Sequence, residues 1–372
     1  MSSVRSLKSR TRLSTAALVA VAIVALSGCS SSSSTLAVPT LTPLITPVPA
    51  SASPASALRD LAGTRYFGTA VAIPQLDRDK AYAGIVASQF SQLTAENAMK
   101  WEVVEPTRGE YNWSGADEIV AFAQAHNQKV RGHTLLWHNQ LPGWLTGGTF
   151  TKAQLSDILQ QHIAAEMGHY AGKIYAWDVV NEVIEADGTR RASLWQKTIG
   201  DEYVADAFKW ARAADPTAKL YINDYDIEGI NAKSDGLYNL VKLLKSQGVP
   251  IDGVGFQTHF DTAIPFPTDM ADNLKRFTDL GVEVAITEMD VRVNTPAAAA
   301  GLSEGANYYK QAVQACVGNS ACVGITVWGF TDKYSWVPGV FPGKGAACLY
   351  DENLNPKSAY GAVGDALKAA KS

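Results

Sequence analysis

The sequence predicts a single (β/α)8 barrel, the TIM-barrel fold, preceded by a signal peptide and a disordered tether. From residue 66 onward, short apolar runs alternate eight times with longer stretches of helical period. Nearly every run ends in polar side chains, and in a barrel the carboxyl ends of all strands meet on one face. A doubly wound open sheet is the alternative, but it would spread those side chains along an edge.

Each predicted strand is a short apolar run that stops at a polar or aromatic cluster. In chain order the strands cover 67–71, 90–95, 129–136, 174–180, 220–223, 253–257, 282–287 and 324–328. The longer segments between them place apolar residues three and four positions apart, as amphipathic helices do. Helices are predicted at 115–126, 152–170, 202–214, 234–247, 268–280, 302–317 and 358–371. Gly248 and Gly281 follow two of these helices, where glycine is favoured as the residue after the helix end.

The first residues have the pattern of an export signal. Four basic side chains precede an apolar stretch at 16–26, which is too short to cross a bilayer and is typical of a signal peptide. The basic residues are Arg5, Lys8, Arg10 and Arg12. The string LSGC at 26–29 resembles a bacterial lipobox, so we predict a lipoprotein-type signal at 1–28 and acylation of Cys29. An ordinary secretory signal with a cysteine nearby is the alternative, and both predict an exported protein.

The segment after the signal has the composition of a tether. No charged residue occurs between Arg12 and Arg59, and a serine run at 30–34 is followed by spaced prolines. Such a stretch buries little surface and stays extended. We therefore predict a tether at 29–57 and one folded domain at 58–372. The protein would be lipid-anchored at the cell surface or secreted, and a lipid on Cys29 would be its only attachment to a membrane.

The charge balance limits the range of partners. The formal net charge is −4, and loss of the four basic signal residues would take it to −8. An acidic surface argues against nucleic-acid binding. Nothing in the sequence indicates an obligate oligomer, so a monomer is expected.

The cysteines fit an exported protein. Cys316 and Cys322 are six positions apart and could close a short loop through a disulfide, which an oxidising compartment permits. Cys348 is then left over and is expected to be a small buried residue. No cysteine and histidine spacing resembles a zinc site, so no metal is expected.

Two glutamates carry the strongest chemical signal. Glu182 follows the fourth predicted strand and Glu288 follows the seventh, so a barrel would place them on opposite sides of its mouth. A carboxyl pair can break a glycosidic bond, because one group protonates the leaving oxygen while the other attacks the sugar carbon. For either glutamate alone, a salt bridge to a cation at the barrel rim is the competing explanation.

Six strings in order resemble glycoside hydrolase family 10, the endo-β-1,4-xylanases, over about residues 58–367. They are TAENAMKW at 94–101, GHTLLWH at 132–138, WDVVNE at 177–182, QTH at 257–259, TEMD at 287–290 and VWGFTD at 327–332. The resemblance implies a retaining mechanism without cofactor, with Glu182 as general acid/base and Glu288 as nucleophile. It also implies that His259 donates to the nucleophile and that Asn181 holds the sugar 2-hydroxyl.

The same resemblance implies a groove for a polysaccharide. Its implied substrate-binding residues are Glu96, Asn97 and Lys100 on the non-reducing side and Tyr225 on the leaving side. His133, Trp137, Trp328 and Trp336 would line the same floor as the non-reducing-side residues, with Trp328 and Trp336 beside the sugar at the cleavage point, and Gln257 is a further substrate-binding residue. The expected substrate is xylan or a xylo-oligosaccharide. A glucan-cleaving barrel and a non-catalytic surface lectin are the alternatives. Lys100 and the wall of Trp328 and Trp336 favour xylan over glucan, and retention of both glutamates argues against a lectin.

Overall fold

The structure is a computed structural model that describes residues 56–369. The predicted signal peptide, most of the tether and Cys29 lie outside these residues. The strands of the described part are β1 (Tyr66–Val71), β2 (Gln92–Ala95), β3 (Lys129–Leu136), β4 (Ala176–Asn181), β5 (Lys219–Asp224), β6 (Gly253–Phe256), β7 (His259–Asp261), β8 (Glu283–Asn294), β9 (Cys322–Val327) and β10 (Lys344–Gly345).

Eight of these strands close into a parallel barrel. Strands β1 to β6 pair in sequence order, β6 pairs with β8, β8 with β9, and β9 returns to β1, all in parallel. The pairing of Tyr66 with Gly324 and of Thr69 with Val327 is the closing seam. The barrel predicted from the sequence is therefore confirmed, and the open-sheet alternative is wrong.

Helices surround the barrel between the strands. They are α1 (Leu58–Leu61), α2 (Ile73–Arg78), α3 (Lys80–Gln89), α4 (Trp101–Val104), α5 (Ser114–Ala125), α6 (Gly143–Thr146), α7 (Lys152–His169), α8 (Leu194–Thr198), α9 (Tyr203–Ala214), α10 (Ala232–Ser246), α11 (Met270–Thr278), α12 (Ala299–Val317), α13 (Val337–Val340) and α14 (Ser358–Ala369), with a 3-10 turn at Asp332–Tyr334. Within residues 56–369, none of them has both the length and the apolar content of a membrane-spanning helix.

Strand β8 is longer than its sequence predicted. The predicted strand ended at residue 287, but β8 continues to Asn294. Val291 and Val293 are buried in the added part. That part pairs with β7 on one side and with β10 on the other, so it extends the barrel wall above its mouth.

Helix α1 lies at the amino ends of the barrel strands. Arg59 donates from Nη1 to the carbonyl of Ala87 at 2.9 Å, close to the turn that precedes β2. Arg65 donates from Nε to the carbonyl of Cys322 at 2.9 Å, where β9 starts. The described chain therefore begins at the face opposite the carboxyl ends of the strands.

A buried ion pair lies inside the barrel. The guanidinium of Arg131 donates to both carboxylate oxygens of Asp178, at 2.5 and 3.1 Å, and all these atoms are shielded from solvent. Burial works to raise the pKa of Asp178, but the charge of Arg131 and the contact with His133 hold it below its ordinary value. His133 Nδ1 lies 3.0 Å from Asp178 Oδ2, so the pair also supports a side chain that reaches the barrel mouth.

Close packing between neighbouring strands requires glycine at several positions. An ideal Cβ at Gly132 would lie 2.1 Å from the ring of Trp177 on the adjacent strand, and one at Gly253 would lie 2.2 Å from the ring of Tyr221. Neither ring is free to move, because both are fully buried. The glycines leave the space that these aromatic rings fill.

We expect Gly132→Ala to lower the free energy of unfolding by about 1–3 kcal/mol, because the added methyl overpacks the Trp177 ring. The control is Gly84→Ala on the exposed side of α3, where a Cβ meets nothing within 4 Å. That change should raise stability by about 0.5–1 kcal/mol through helix propensity. Urea unfolding of both variants checks the pair, and equal effects would contradict this account of the barrel packing.

Candidate active site

A cleft of 630 Å³ opens at the carboxyl ends of the barrel strands. The structure brings all thirteen residues singled out from the sequence to its walls. They are Glu96, Asn97, Lys100, His133, Trp137, Asn181, Glu182, Tyr225, Gln257, His259, Glu288, Trp328 and Trp336. These residues come from segments spread over much of the chain. Closure of the barrel brings the ends of those segments together on one face.

Glu182 follows the last residue of β4 with an unusual backbone. Its φ is 58°, in the left-handed region that non-glycine residues rarely adopt. Its amide donates to the carbonyl of Asn223 at 2.8 Å, and its own carbonyl accepts from Nε of Arg191 at 2.7 Å. The carboxylate accepts from Nε2 of Gln257 at 3.2 Å. Its side chain is 12% exposed, so it is open to the cleft.

Glu288 lies within β8 on the other side of the cleft, and its side chain is only 7% exposed. Oε1 accepts from Nδ2 of Asn223 at 2.7 Å, and Oε2 lies 3.3 Å from Nε2 of His259. Two different donors therefore hold the two oxygens of this carboxylate.

Side-chain amides link the two carboxylates. Asn223 donates from Nδ2 to both Glu288 and Oδ1 of Asn181, the latter at 2.8 Å. Gln257 donates from Nε2 to the same Asn181 oxygen at 3.3 Å and to Glu182. The Thr287 hydroxyl donates to Oδ1 of Asn223 at 2.7 Å, which sets the orientation of that amide. The spacing of the two carboxylates is thus held by one continuous hydrogen-bonded set.

Electrostatics favour the ionised form of Glu288. Burial works to raise its pKa, but the imidazoles of His133 and His259 hold the pKa below its ordinary value. Burial opposes the charge of His259 as well, yet Asp290 and Glu288 together raise its pKa to about 10. His259 Nδ1 lies 3.1 Å from Oδ1 of Asp290. His259 is therefore an imidazolium at neutral pH, and it stabilises a carboxylate that can act as a nucleophile.

Two tryptophans form a wall beside Glu288. Trp336 donates from Nε1 to Oδ2 of Asp290 at 2.7 Å, and its ring packs edge-on to His259 at 5.1 Å. Trp328 packs edge-on to His133 at 5.3 Å. The wall is therefore attached to the side chains that surround Glu288, and its position is defined by them.

A polar cluster forms the other end of the cleft. Lys100 donates from Nζ to Oδ1 of Asn97 at 3.2 Å and to Oε1 of Gln140 at 2.6 Å, with Nζ 4.9 Å from the ring centre of Trp137. Burial lowers the pKa of Lys100, although nearby carboxylates oppose this, and burial raises the pKa of Glu96. Such partly desolvated donors and acceptors suit the hydroxyl groups of a sugar.

Tyr225 also lines the cleft and is linked to Glu182 through Arg191. Its hydroxyl accepts from Nη2 of Arg191 at 3.0 Å. The ammonium of Lys233 lies 3.1 Å from its ring centre, and Lys233 also pairs with Asp224 at 2.9 Å. Two cations thus fix the ring at the edge of the cleft.

Some residues of the site were not among those singled out from the sequence. They are Asn223, His138, Gln140, Arg191, Arg292 and Phe341. Asn223 and His138 belong to the polar clusters at the ends of predicted strands, so the sequence places them at the mouth but assigns them no role. Gln140 and Arg191 lie in loops between elements, where no periodic pattern indicates the direction of a side chain.

The three cysteines within residues 56–369 lie outside the cleft. Cys316 and Cys322 form a disulfide that joins the end of α12 to the start of β9, and Cys348 is a buried free thiol whose pKa is raised by burial. Over residues 56–369, no group of three or more His, Cys, Asp or Glu side chains is arranged to hold a metal ion.

Comparison with known proteins identifies the family. Residues 57–366 match the model of glycosyl hydrolase family 10. An endo-1,4-beta-xylanase of Agaricus bisporus is 47% identical over 306 residues, which are 82% of this chain and 91% of the fungal protein. An endo-1,4-beta-xylanase B of Thermotoga neapolitana is 46% identical over 289 residues, 77% of this chain and 83% of that protein.

Solved structures agree with this match. Native xylanase 10B of Thermotoga maritima has a TM-score of 0.82 at 45% identity, covering 84% of this chain and 98% of that one. Xylanase 10B of Thermotoga petrophila RKU-1, solved in complex with xylobiose, also has a TM-score of 0.82 at 45% identity and covers 84% and 97%. The chain therefore belongs to glycosyl hydrolase family 10 and is a glycoside hydrolase.

We expect His259→Gln to move the acid limb of the kcat/KM profile to higher pH by about one unit. The cation lowers the pKa of Glu288, so its removal lets that carboxylate take up a proton at a higher pH and lose its nucleophilic form. The measurement is hydrolysis of an aryl β-xylobioside over a pH series. His169→Gln on the outer end of α7 is the control and should leave the limb in place. An unchanged limb in His259→Gln would show that His259 does not set the ionisation of Glu288.

Proposed function

Because the chain belongs to glycosyl hydrolase family 10, we propose that it cleaves internal β-1,4-xylosidic bonds of xylan and xylo-oligosaccharides with retention of configuration. The observation that carries the proposal is the pair Glu182 and Glu288, which face one cleft from β4 and β8 in unlike surroundings.

In the first step, Glu288 attacks the anomeric carbon while Glu182 gives its proton to the departing oxygen. The bond to the leaving sugar breaks, and an ester forms between the remaining sugar and Glu288. In the second step, the Glu182 carboxylate takes a proton from water as the water oxygen attacks the same carbon. The ester breaks, Glu288 is regenerated, and Glu182 holds a proton again.

The surroundings of the two glutamates support these separate roles. Glu288 is held by Asn223 and by the cation of His259, and the direction of its pKa shift favours the ionised nucleophile. The carboxylate of Glu182 accepts from two neutral side-chain amides, Gln257 at 3.2 Å and Asn181 at 3.3 Å. His138 lies 3.9 Å away, and burial lowers its pKa so that it is neutral beside the acid.

Asn181 is proposed to hold the 2-hydroxyl of the sugar at the cleaved bond. Its side chain lies between the two carboxylates and is held by Asn223 and Gln257. A hydrogen bond at this hydroxyl strengthens as the oxocarbenium-like transition state develops, so a preset amide lowers the barrier.

Selection of xylose is proposed to come from the wall of Trp328 and Trp336. The bond from Trp336 to Asp290 prevents that ring from moving aside to admit a hydroxymethyl group. Glu96, Asn97 and Lys100 are proposed to bind the sugars on the non-reducing side, and Tyr225 is proposed to stack on the leaving-side sugar.

The location of the enzyme is proposed from the sequence alone. Residues 1–28 are proposed to direct export, and Cys29 is proposed to carry a lipid at the start of the tether. The lipid would hold the enzyme at the cell surface, where an extracellular polysaccharide reaches it.

We expect the purified enzyme to release reducing sugar from xylan strongly and from a soluble cellulose derivative weakly, because the tryptophan wall crowds the hydroxymethyl group of glucose. Glu288→Ala removes the nucleophile, and its activity on xylan should fall by a factor on the order of 10⁴ or more. Circular dichroism of that variant serves as the folding control. Equal release from both polymers would favour the glucan-cleaving alternative.

For the anchor, we expect Cys29→Ser to shift the expressed protein from the membrane fraction to the medium. The serine cannot form the thioether that attaches the lipid, so membrane affinity from the acyl chains is lost. Immunoblots of both fractions measure the shift, and Ser32→Ala in the same segment should behave as wild type. If wild type and Cys29→Ser are both found in the medium, simple secretion is the correct account.

A further inference from the structure

One guanidinium touches both the proposed acid and the leaving-side platform. Arg191 donates from Nε to the main-chain carbonyl of Glu182 at 2.7 Å and from Nη2 to the hydroxyl of Tyr225 at 3.0 Å. Its side chain is 15% exposed, so solvent competes little for these bonds. Arg191 is not among the residues that line the cleft, so it would act on a bound substrate through Glu182 and Tyr225.

The backbone of Glu182 needs such support. A left-handed φ of 58° at a residue with a side chain costs free energy, and it persists only where its surroundings hold it. The amide of Glu182 is held by the carbonyl of Asn223, and its carbonyl is held by Arg191. Without the guanidinium, the carbonyl of Glu182 loses its charged donor, and the left-handed backbone that directs the carboxyl is held less firmly.

Arg191 is itself fixed by a tight hairpin. Its amide donates to the carbonyl of Val183 at 2.8 Å, and Ile184 and Arg190 form an antiparallel bridge. The carboxylate of Glu185 lies 3.3 Å from Nη1 of Arg191. The hairpin thus starts next to Glu182 and brings Arg191, at its other end, back to the carbonyl of Glu182.

We propose that Arg191 is a positioning residue that aims the Glu182 carboxyl at the leaving oxygen and couples this aim to Tyr225 on the leaving side. The inference rests on the proposed role of Glu182 as general acid. Both acceptors share one rigid planar group, so a displacement of the Tyr225 ring is transmitted to the Glu182 peptide. A guanidinium suits this role because it can donate to two acceptors in fixed directions.

The test is a leaving-group series on the full-length enzyme. Aryl β-xylobiosides with phenols of low to high pKa need the acid to increasing extents, because a good leaving group departs without protonation. Arg191→Met keeps the length of the side chain but removes both donors. We expect kcat/KM to be nearly unchanged for the best leaving group and to fall at least tenfold for the poorest. Glu182→Ala removes the acid altogether, so it shows the steepest dependence of kcat/KM on the pKa of the leaving phenol that loss of the acid can produce.

Three further variants sharpen the result. Arg191→Lys keeps one charged donor for the Glu182 carbonyl and should recover most of the loss on poor leaving groups. Tyr225→Phe should steepen the series in wild type but have no added effect in Arg191→Met, since the shared bond is already absent. Arg190→Met removes a neighbouring guanidinium that faces Asp201 and should leave the series unchanged.

The outcomes separate this inference from the proposed function. A uniform loss over all leaving groups, or no loss, would overturn the positioning role of Arg191 while the wild-type activity stands. A wild type that is inactive on the whole series and on xylan would overturn the proposed function and this inference with it. Thermal unfolding of each variant accompanies the kinetics, and if Arg191→Met unfolds, Arg191→Lys and Tyr225→Phe decide the matter through the same series.

Discussion

Closure of the barrel by pairing of β9 with β1 is the constraint on which the site depends. Glu182 and Glu288 are far apart along the chain, and no single helix, strand or turn holds them both. The closed ring of strands fixes their side chains on facing sides of one opening. The amides of Asn223, Asn181 and Gln257 can link them only because the strands that carry these residues are neighbours in the ring.

Two series of contacts between polar and charged side chains lead to Glu288, one of them from the barrel interior. Arg131 pairs with Asp178, Asp178 contacts His133, and His133 acts on Glu288. A second series begins at Trp336 and passes through Asp290 and His259 to the same carboxylate. Buried charges are costly unless they are paired, so the charged groups of the two pairs Arg131–Asp178 and His259–Asp290 require each other. The ionised state of Glu288 is consequently a property of the core as much as of the cleft.

Much of this arrangement could be predicted from the sequence, for a physical reason. Residues at strand ends have their direction set by the period of the strand, and barrel closure then gathers them, as happened with Asn181, Gln257 and Trp328. The positions of Arg191 and Gln140 could not be predicted, because loop side chains follow no such period. Gln140 also takes a left-handed φ of 47°. The extension of β8 could not be predicted either, because its partner strands β7 and β10 are too short to show a β-strand pattern in the sequence.

The position of α1 has a practical consequence. The described chain starts at the floor of the barrel, where Arg59 and Arg65 bind carbonyl groups near the starts of β2 and β9. The full thickness of the barrel therefore separates this starting point from the cleft. A solid support or a fusion partner joined directly at residue 56 would be attached to the face opposite the cleft. Long, insoluble polymer strands could then approach the cleft without crossing the point of attachment.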